Sequence, residues 1–345
     1  MSRLKRELGL PGAVLMGLGA MVGTGVFVSI GLGVGIAGPS VVLALLVAAA
    51  LATCNAFSSA QLAASHPVSG GTYEYGYRYL RPWLGFSAGW MFLCAKTASA
   101  ATAALGFAAY LLQLLGVDAG LRAVVAGAAA VAVTLLVLGG IRRSNAANVV
   151  IVSVTLAALV AFVAMGLPAT AAAGAGPFEP FFGGAGGDAS AGAFFHATAL
   201  MFVAFTGYAR IATLGEEVHE PRRIIPRAIV WTLVVSVVLY VGVAVVGIGV
   251  LGTERFAQAA TGEAVPLVVA ARALDAPWIA PLVAVGAVTA MLGVLLNLLL
   301  GLSRVVLAMG RQGDLPPLFA HVDEQRSTPS AAVVGVGVAV TAMAL

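Results

Sequence analysis

The residues of this sequence that could do chemistry do it through their backbone. Met21-Val22-Gly23-Thr24-Gly25-Val26-Phe27 lies in the middle of the first long apolar run, residues 11–35. Glycine costs about 1 kcal/mol relative to alanine inside a helix. Yet Gly17, Gly19, Gly23, Gly25, Gly31, Gly33 and Gly35 crowd this one run. One reading is structural, since small residues let membrane helices approach closely. The other is a helix that unwinds at Gly23-Thr24-Gly25. Unwinding frees N–H and C=O groups that lipid cannot satisfy, so they must line a protein-buried or watery cavity. Secondary transporters bind substrate at such breaks. A second candidate break is Phe205-Thr206-Gly207, inside the apolar run 193–214. Two interrupted runs five spans apart point to a site at a repeat interface more firmly than either does alone.

Few ionisable side chains accompany these breaks. Lys96, in Leu93-Cys94-Ala95-Lys96-Thr97-Ala98-Ser99, falls deep in the third run. A cation there costs about 2.5–3.5 kcal/mol on insertion scales. Snorkelling to an interface is the plain alternative, and the distance to Trp83 and to Val117 makes it difficult. Lys96 is therefore expected to face a cavity or to stand in for a coupling cation. Arg210 follows the second break and is expected to snorkel inward or to pair with Glu216 or Glu217, in a structural or a gating role, and it joins Lys96 as a candidate cavity or coupling residue. Those two carboxylates are read as organising an inner loop, and His196 as interfacial. Cys54 and Cys94 lie inside apolar runs and read as small buried hydrophobes, with no disulfide framework or zinc spacing. No His/Asp/Glu cluster has metal or acid–base spacing within the runs, which argues against an enzyme. No cofactor is expected.

The elements that must position these residues follow from composition. Apolar residues make up 61% of the chain and charged ones 9%, and mean hydropathy is +1.03. Soluble domains carry about 25% charged residues, so this is an all-α polytopic membrane protein whose main partner is the lipid bilayer. At about 20 apolar residues per crossing, spans are expected near 11–35, 40–64, 84–114, 121–140, 147–167, 193–214, 228–252 and 279–309. A ninth begins near Ser330 and looks cut within the helix. Gly38-Pro39 opens the second span, and Pro168 and Pro226 are expected to flank others. Placing the N-terminus inside puts Arg3, Lys5, Arg6, Arg78, Arg81, Arg142, Arg143, Arg222, Arg223, Arg227, Arg304, Arg311 and Arg326 in inner loops. Only Arg122, Arg255 and Arg272 are then outer. That bias predicts a multi-pass cell-membrane protein with a cytoplasmic N-terminus and no removable signal peptide. The net charge of +4 sits in short loops and is no nucleic-acid signature. In the loop 65–83, Tyr73, Tyr75, Tyr77, Tyr79 and Trp83 suit a membrane interface. Segment 169–192 shows no span-length helical pattern.

Four stretches carry a family resemblance. They are Gly17 to Gly31; Pro67-Val68-Ser69-Gly70-Gly71-Thr72-Tyr73 with Gly85-Phe86-Ser87-Ala88-Gly89-Trp90; Phe205 to Ile229; and Ser303 to Pro316. In this order they resemble the amino acid–polyamine–organocation (APC) superfamily of amino acid permeases. The resemblance implies a single transporter domain over 1–345, built of inverted five-helix repeats with helices one and six broken. The first repeat would cover about 11–167 and an incomplete second about 193–345. It implies secondary transport of amino acids by alternating access. The alternatives are a polyamine or organocation exchanger of the same fold, or a channel or structural subunit. It also implies a substrate site in which the N–H groups around Gly23, Thr24 and Gly25, with the Thr24 hydroxyl, meet a carboxylate. The carbonyls of Met21, Val203 and Thr206 would meet an ammonium. Phe205 would cover the ligand, while Ala204 and Gly207 leave room for it. Some relatives carry a coupling lysine in helix five. Here Thr155 stands in its place, which leaves open sodium coupling, proton coupling through another group, or exchange.

Overall fold

The computed structural model describes residues 6–183, 190–262, 265–323 and 328–345. Helix α1 (Leu10–Met21) stops where Val22 turns extended. A π-helical turn (Gly25–Ser29) then leads into α2 (Ile30–Ala37). Gly38 ends α2 at φ +62°, where an added Cβ would strike the Gly183 carbonyl oxygen, so only glycine fits. Then come α3 (Val41–Ser65), α4 (Thr72–Tyr79), α5 (Pro82–Leu115), α6 (Arg122–Leu138) and α7 (Ile141–Ala173). Helix α8 (Ala191–Phe205) passes through a 3₁₀ turn (Thr206–Tyr208) into the short α9 (Ala209–Ala212). The chain continues through α10 (Pro221–Leu251), α11 (Thr253–Thr261), α12 (Pro266–Arg272), α13 (Ile279–Gln312) and α14 (Ser330–Ala344).

Among the described residues, seven helical stretches are long and apolar enough to cross a membrane. The expected spans are present, with two corrections at their ends. Pro168 and Pro226 lie inside α7 and α10 rather than beside them. Pro226 falls early in α10 and removes a single backbone bond, to the carbonyl of the exposed Arg222. Pro168 sits on an exposed face near the end of α7. The short helices α11 and α12 lack span-length patterning and do not appear in the sequence reading.

Helix α1 is central, packing on α7, α10 and α13. Part of its glycine content serves this packing. A Cβ at Gly17 would fall 2.5 Å from Ile211, and one at Gly19 would fall 2.5 Å from the Asn297 amide. Helix α3 presents Ala44, Ala48, Ala52, Ala56 and Ala60 at four-residue spacing, all buried, and packs on α8 and α10. Lipid tails provide no hydrophobic drive between helices, so close approach over small residues is what holds such pairs. Cys54 and Cys94 are both exposed and free. They lie on outward faces of α3 and α5, because apolar residues in a membrane protein face lipid as readily as the core.

One end of the bundle is closed by polar contacts. Arg304, counted above as a loop charge, is instead fully buried in α13, two turns before its end. Its Nε donates to both carboxylate oxygens of the equally buried Glu217 at 3.2 and 3.3 Å, and its Nη2 closes the pair. Glu216 meets Arg311 at 2.8 Å and accepts from the Ser69 N–H at 3.3 Å. The N-terminal segment is strapped to the same loop. The N–H groups of Glu7 and Leu8 donate to the Glu217 carbonyl, and that of His219 donates to the Leu8 carbonyl. Two residues expected at the interface, Tyr73 and Tyr75, are buried. The hydroxyls of Tyr73 and Tyr77 donate to Asp314 at 2.8 Å. Burial first, and Asp314 second, raise the Tyr73 phenol above its ordinary range. Tyr79 and Trp83 remain exposed. Of the inner charges, Arg3, Lys5 and Arg326 lie outside the described residues.

Breaking a buried ion pair from one side leaves the partner charge uncompensated, at a cost of about 3–5 kcal/mol. Glu217→Gln should therefore lower the melting temperature of the protein in detergent markedly. A melting temperature equal to that of the unsubstituted protein would contradict this packing.

Candidate functional site

The two breaks pack against each other. A Cβ at Gly25 would lie 2.6 Å from the Ala204 Cβ. A Cβ at Gly207 would lie 2.7 Å from the Ala20 carbonyl and from the Met21 Cα. Each missing side chain is thus the space the other chain occupies. Gly23 packs on α13, where its Cβ would come 2.4 Å from Val294. At the first break the Val26 and Phe27 N–H groups both turn back to the Gly23 carbonyl at 3.2 Å. Among the described residues the Gly23 N–H has no backbone acceptor. Thr24 is exposed.

The carbonyls assigned to an ammonium already accept bonds in this structure. Met21 accepts from the buried hydroxyl of Tyr240 in α10 at 2.7 Å, and the same hydroxyl lies 3.4 Å from the Ala204 carbonyl. Val203 accepts the Thr206 hydroxyl at 2.8 Å and the Thr206 N–H. Thr206 accepts from the Ala209 N–H. A carbonyl oxygen has two lone pairs, so Met21 and Thr206 each keep capacity for one more donor, whereas both lone pairs of Val203 are taken. The Val203 side chain is 65% exposed. Phe205 is fully buried, its ring centroid 5.1 Å from that of Tyr240. Its side chain therefore packs on the tyrosine that bonds the first break. Ala204 and Gly207 give their space to α1.

Lys96 comes to the second break. Its ammonium is 3.5 Å from the Thr206 hydroxyl oxygen, a long contact, and its side chain is half-buried. Thr155 lies elsewhere, on the α7–α13 contact. Its hydroxyl is 2.8 Å from that of Thr289 and 3.1 Å from the Ile151 carbonyl. Arg210, expected to snorkel or to pair with Glu216 or Glu217, does neither. It is buried, no carboxylate lies within 4.0 Å of it among the described residues, and its Nη1 donates to Thr213 at 2.6 Å. His196 is exposed, near the start of α8.

Tyr240 and Arg304 are the groups that the sequence reading missed. Tyr240 carried a usable signal, because a lone phenol in the middle of a valine-rich span must find an acceptor. In chemical terms, the paired breaks offer backbone donors and acceptors, hydroxyls and one ammonium at membrane depth. They offer no nucleophile with an adjacent base. Among the described residues no group of three or more His, Cys, Asp or Glu residues could hold a metal.

Comparison with known proteins agrees with this geometry. The amino acid permease family model matches residues 12–345. An uncharacterized transporter of Mycobacterium tuberculosis (strain ATCC 25618 / H37Rv) is 44% identical, over 99% of this chain and 74% of that protein. The branched-chain amino acid permease BcaP of Bacillus subtilis (strain 168) is 31% identical, over 94% of this chain and 71% of its own length. Among solved structures, MhsT in complex with L-phenylalanine superposes with a TM-score of 0.70 at 16% identity, covering 100% of this chain and 80% of that one. Mhp1, a nucleobase-cation-symport-1 family transporter, gives 0.62 at 15% identity, covering 98% and 72%. At these identities the two structures speak to the fold alone, which is the LeuT fold. The chain belongs to the amino acid permease family and is a multi-pass secondary transporter, not an enzyme.

Proposed function

We propose that this permease carries neutral amino acids across the cell membrane, with its N-terminus and the segment 216–227 cytoplasmic, and that it holds them at the paired breaks. A zwitterion brings a carboxylate and an ammonium into a site where either would be prohibitive if left uncompensated. The broken helices supply both complements, N–H groups at the head of one half-helix and C=O groups at the foot of the other. The observation that carries the choice of substrate is Lys96. The Lys96 nitrogen lies 3.5 Å from the Thr206 hydroxyl, so in its protonated form it would put a positive charge beside the second break. Like charges repel strongly at low dielectric, so a second cationic group on the substrate side chain is disfavoured there. This reading sets polyamines and cationic amino acids behind neutral ones.

Three outcomes test the reading. Lys96→Met should relax selectivity toward arginine and lysine in liposome uptake while leucine uptake persists. An unchanged competition profile would remove Lys96 from the site. Gly25→Ala should weaken substrate binding by about tenfold or more, since its methyl group meets that of Ala204 at 2.6 Å. Adding Ala204→Gly should restore much of that loss. Binding by the single variant equal to that of the parent would separate the break from the substrate. For topology, a thiol reagent that cannot cross the membrane should miss His219→Cys in intact cells lacking Cys54 and Cys94. Labelling there at the level of a known outer control would reverse the orientation.

A further inference from the structure

One turn beyond the second break lies a buried cation to which the reading above gives no role. Arg210 is 4% exposed. Its Nη1 donates to the Thr213 hydroxyl at 2.6 Å, and its Cδ packs over Gly301 of α13. Nε and Nη2 have no acceptor. Glu217 and Arg304 both act on it through space, but Glu217 is held by Arg304, and Glu216 is occupied by Arg311. The region therefore encloses two guanidiniums around one carboxylate. An uncompensated buried guanidinium is costly, and two unmatched N–H groups on one planar fork are the complement of a carboxylate.

The position of Arg210 indicates which carboxylate. Thr213, its hydrogen-bond partner, lines a small cavity of about 20 Å³ with Ala209, Ala212, Thr72, Tyr73 and Tyr75, so Arg210 borders this cavity through Thr213 rather than lining it. The buried Tyr75 hydroxyl likewise has no partner. From Thr206 at the break to Thr213 is seven residues, about 10 Å along a helical rise. Beyond the cavity lie α4 and the loop before it, whose Ser69 N–H is bound to Glu216. The cavity thus stands between the paired breaks and the polar closure of the bundle. It has room for about one water, and must widen when that face opens.

We propose that Arg210 is a transit site for the carboxylate of the transported amino acid, engaged between the paired breaks and the face that carries residues 215–227. The inference rests on the amino acid reading given above. Its ligand class is a carboxylate on a small molecule, and free chloride is the competing source of an anion.

Side-specific kinetics test it. The purified protein is placed in liposomes in known orientation, and the uptake of radiolabelled leucine is measured from each face. Arg210→Gln should raise KM about tenfold for leucine presented from the 215–227 face, the scale of one lost charge-assisted hydrogen bond. KM from the opposite face should stay within about twofold of the parent. Arg210→Lys keeps the charge without the fork and should shift the same KM in the same direction by less. If the Gln variant fails to fold, the Lys variant carries the test by the same one-sided criterion. An equal shift on both faces, or none on either, overturns the proposal. So does a one-sided shift in the unsubstituted protein on replacing chloride by gluconate, because the anion would then be chloride. Absence of leucine transport by the unsubstituted protein would defeat the functional reading and this inference with it. Normal transport with face-blind variants would defeat the inference alone.

Discussion

The structure depends on one reciprocal contact at the centre of the bundle. Gly25 at the first break rests on Ala204, and Gly207 at the second rests on the backbone of Ala20 and Met21. Both approaches are closer than any side chain permits. The Tyr240 hydroxyl then fixes the pair by donating to the Met21 carbonyl. Backbone groups at membrane depth must be satisfied by protein or water. Two breaks that face each other can meet that demand together, and neither could do so against lipid. The positions of α3, α10 and α13 around α1 and α8 follow from holding this contact closed.

The second constraint is charge. Charged residues make up only 9% of the chain, so each buried ionisable group has to be accounted for. Glu217 and Arg304 account for each other, while Glu216, Arg311, Asp314 and the tyrosines of α4 stitch the surrounding loops. Lys96 and Arg210 stand apart from this closure, one at the second break and one a turn beyond it. A permease must bind a zwitterion and then release it. The N–H groups of the first break and then the Arg210 guanidinium along the exit would give the substrate carboxylate successive partners. Such a succession avoids a single deep well that would trap the substrate.

Much of this was legible in the sequence, and the misses have physical causes. The spans and both breaks followed from hydropathy and from glycines that a helix interior should not tolerate. The approach of Lys96 to the site followed from the cost of a mid-span cation. The rest depends on three-dimensional pairing that periodicity does not encode. Arg304 resembled a loop charge because it lies near a helix end, and only the approach of Glu217 from another element makes its burial possible. Tyr73 and Tyr75 resembled interfacial residues because the short helix that folds them inward has no span-length pattern. Cys54 and Cys94 were misplaced because apolarity in a membrane protein does not distinguish core from lipid. The packing of the Phe205 ring against Tyr240 is likewise a three-dimensional pairing that the linear sequence does not encode.

The central claim is that substrate occupies the surface where the two breaks meet, and thiol protection tests it most directly. In a background lacking Cys54 and Cys94, Thr24→Cys and Val203→Cys place a reporter on each break at a position exposed in this structure. Saturating amino acid substrate should slow alkylation of both cysteines, with no effect on a reporter placed at the exposed Val238 of α10. Alkylation of both at the same rate with and without substrate, in protein that still transports, would contradict the account.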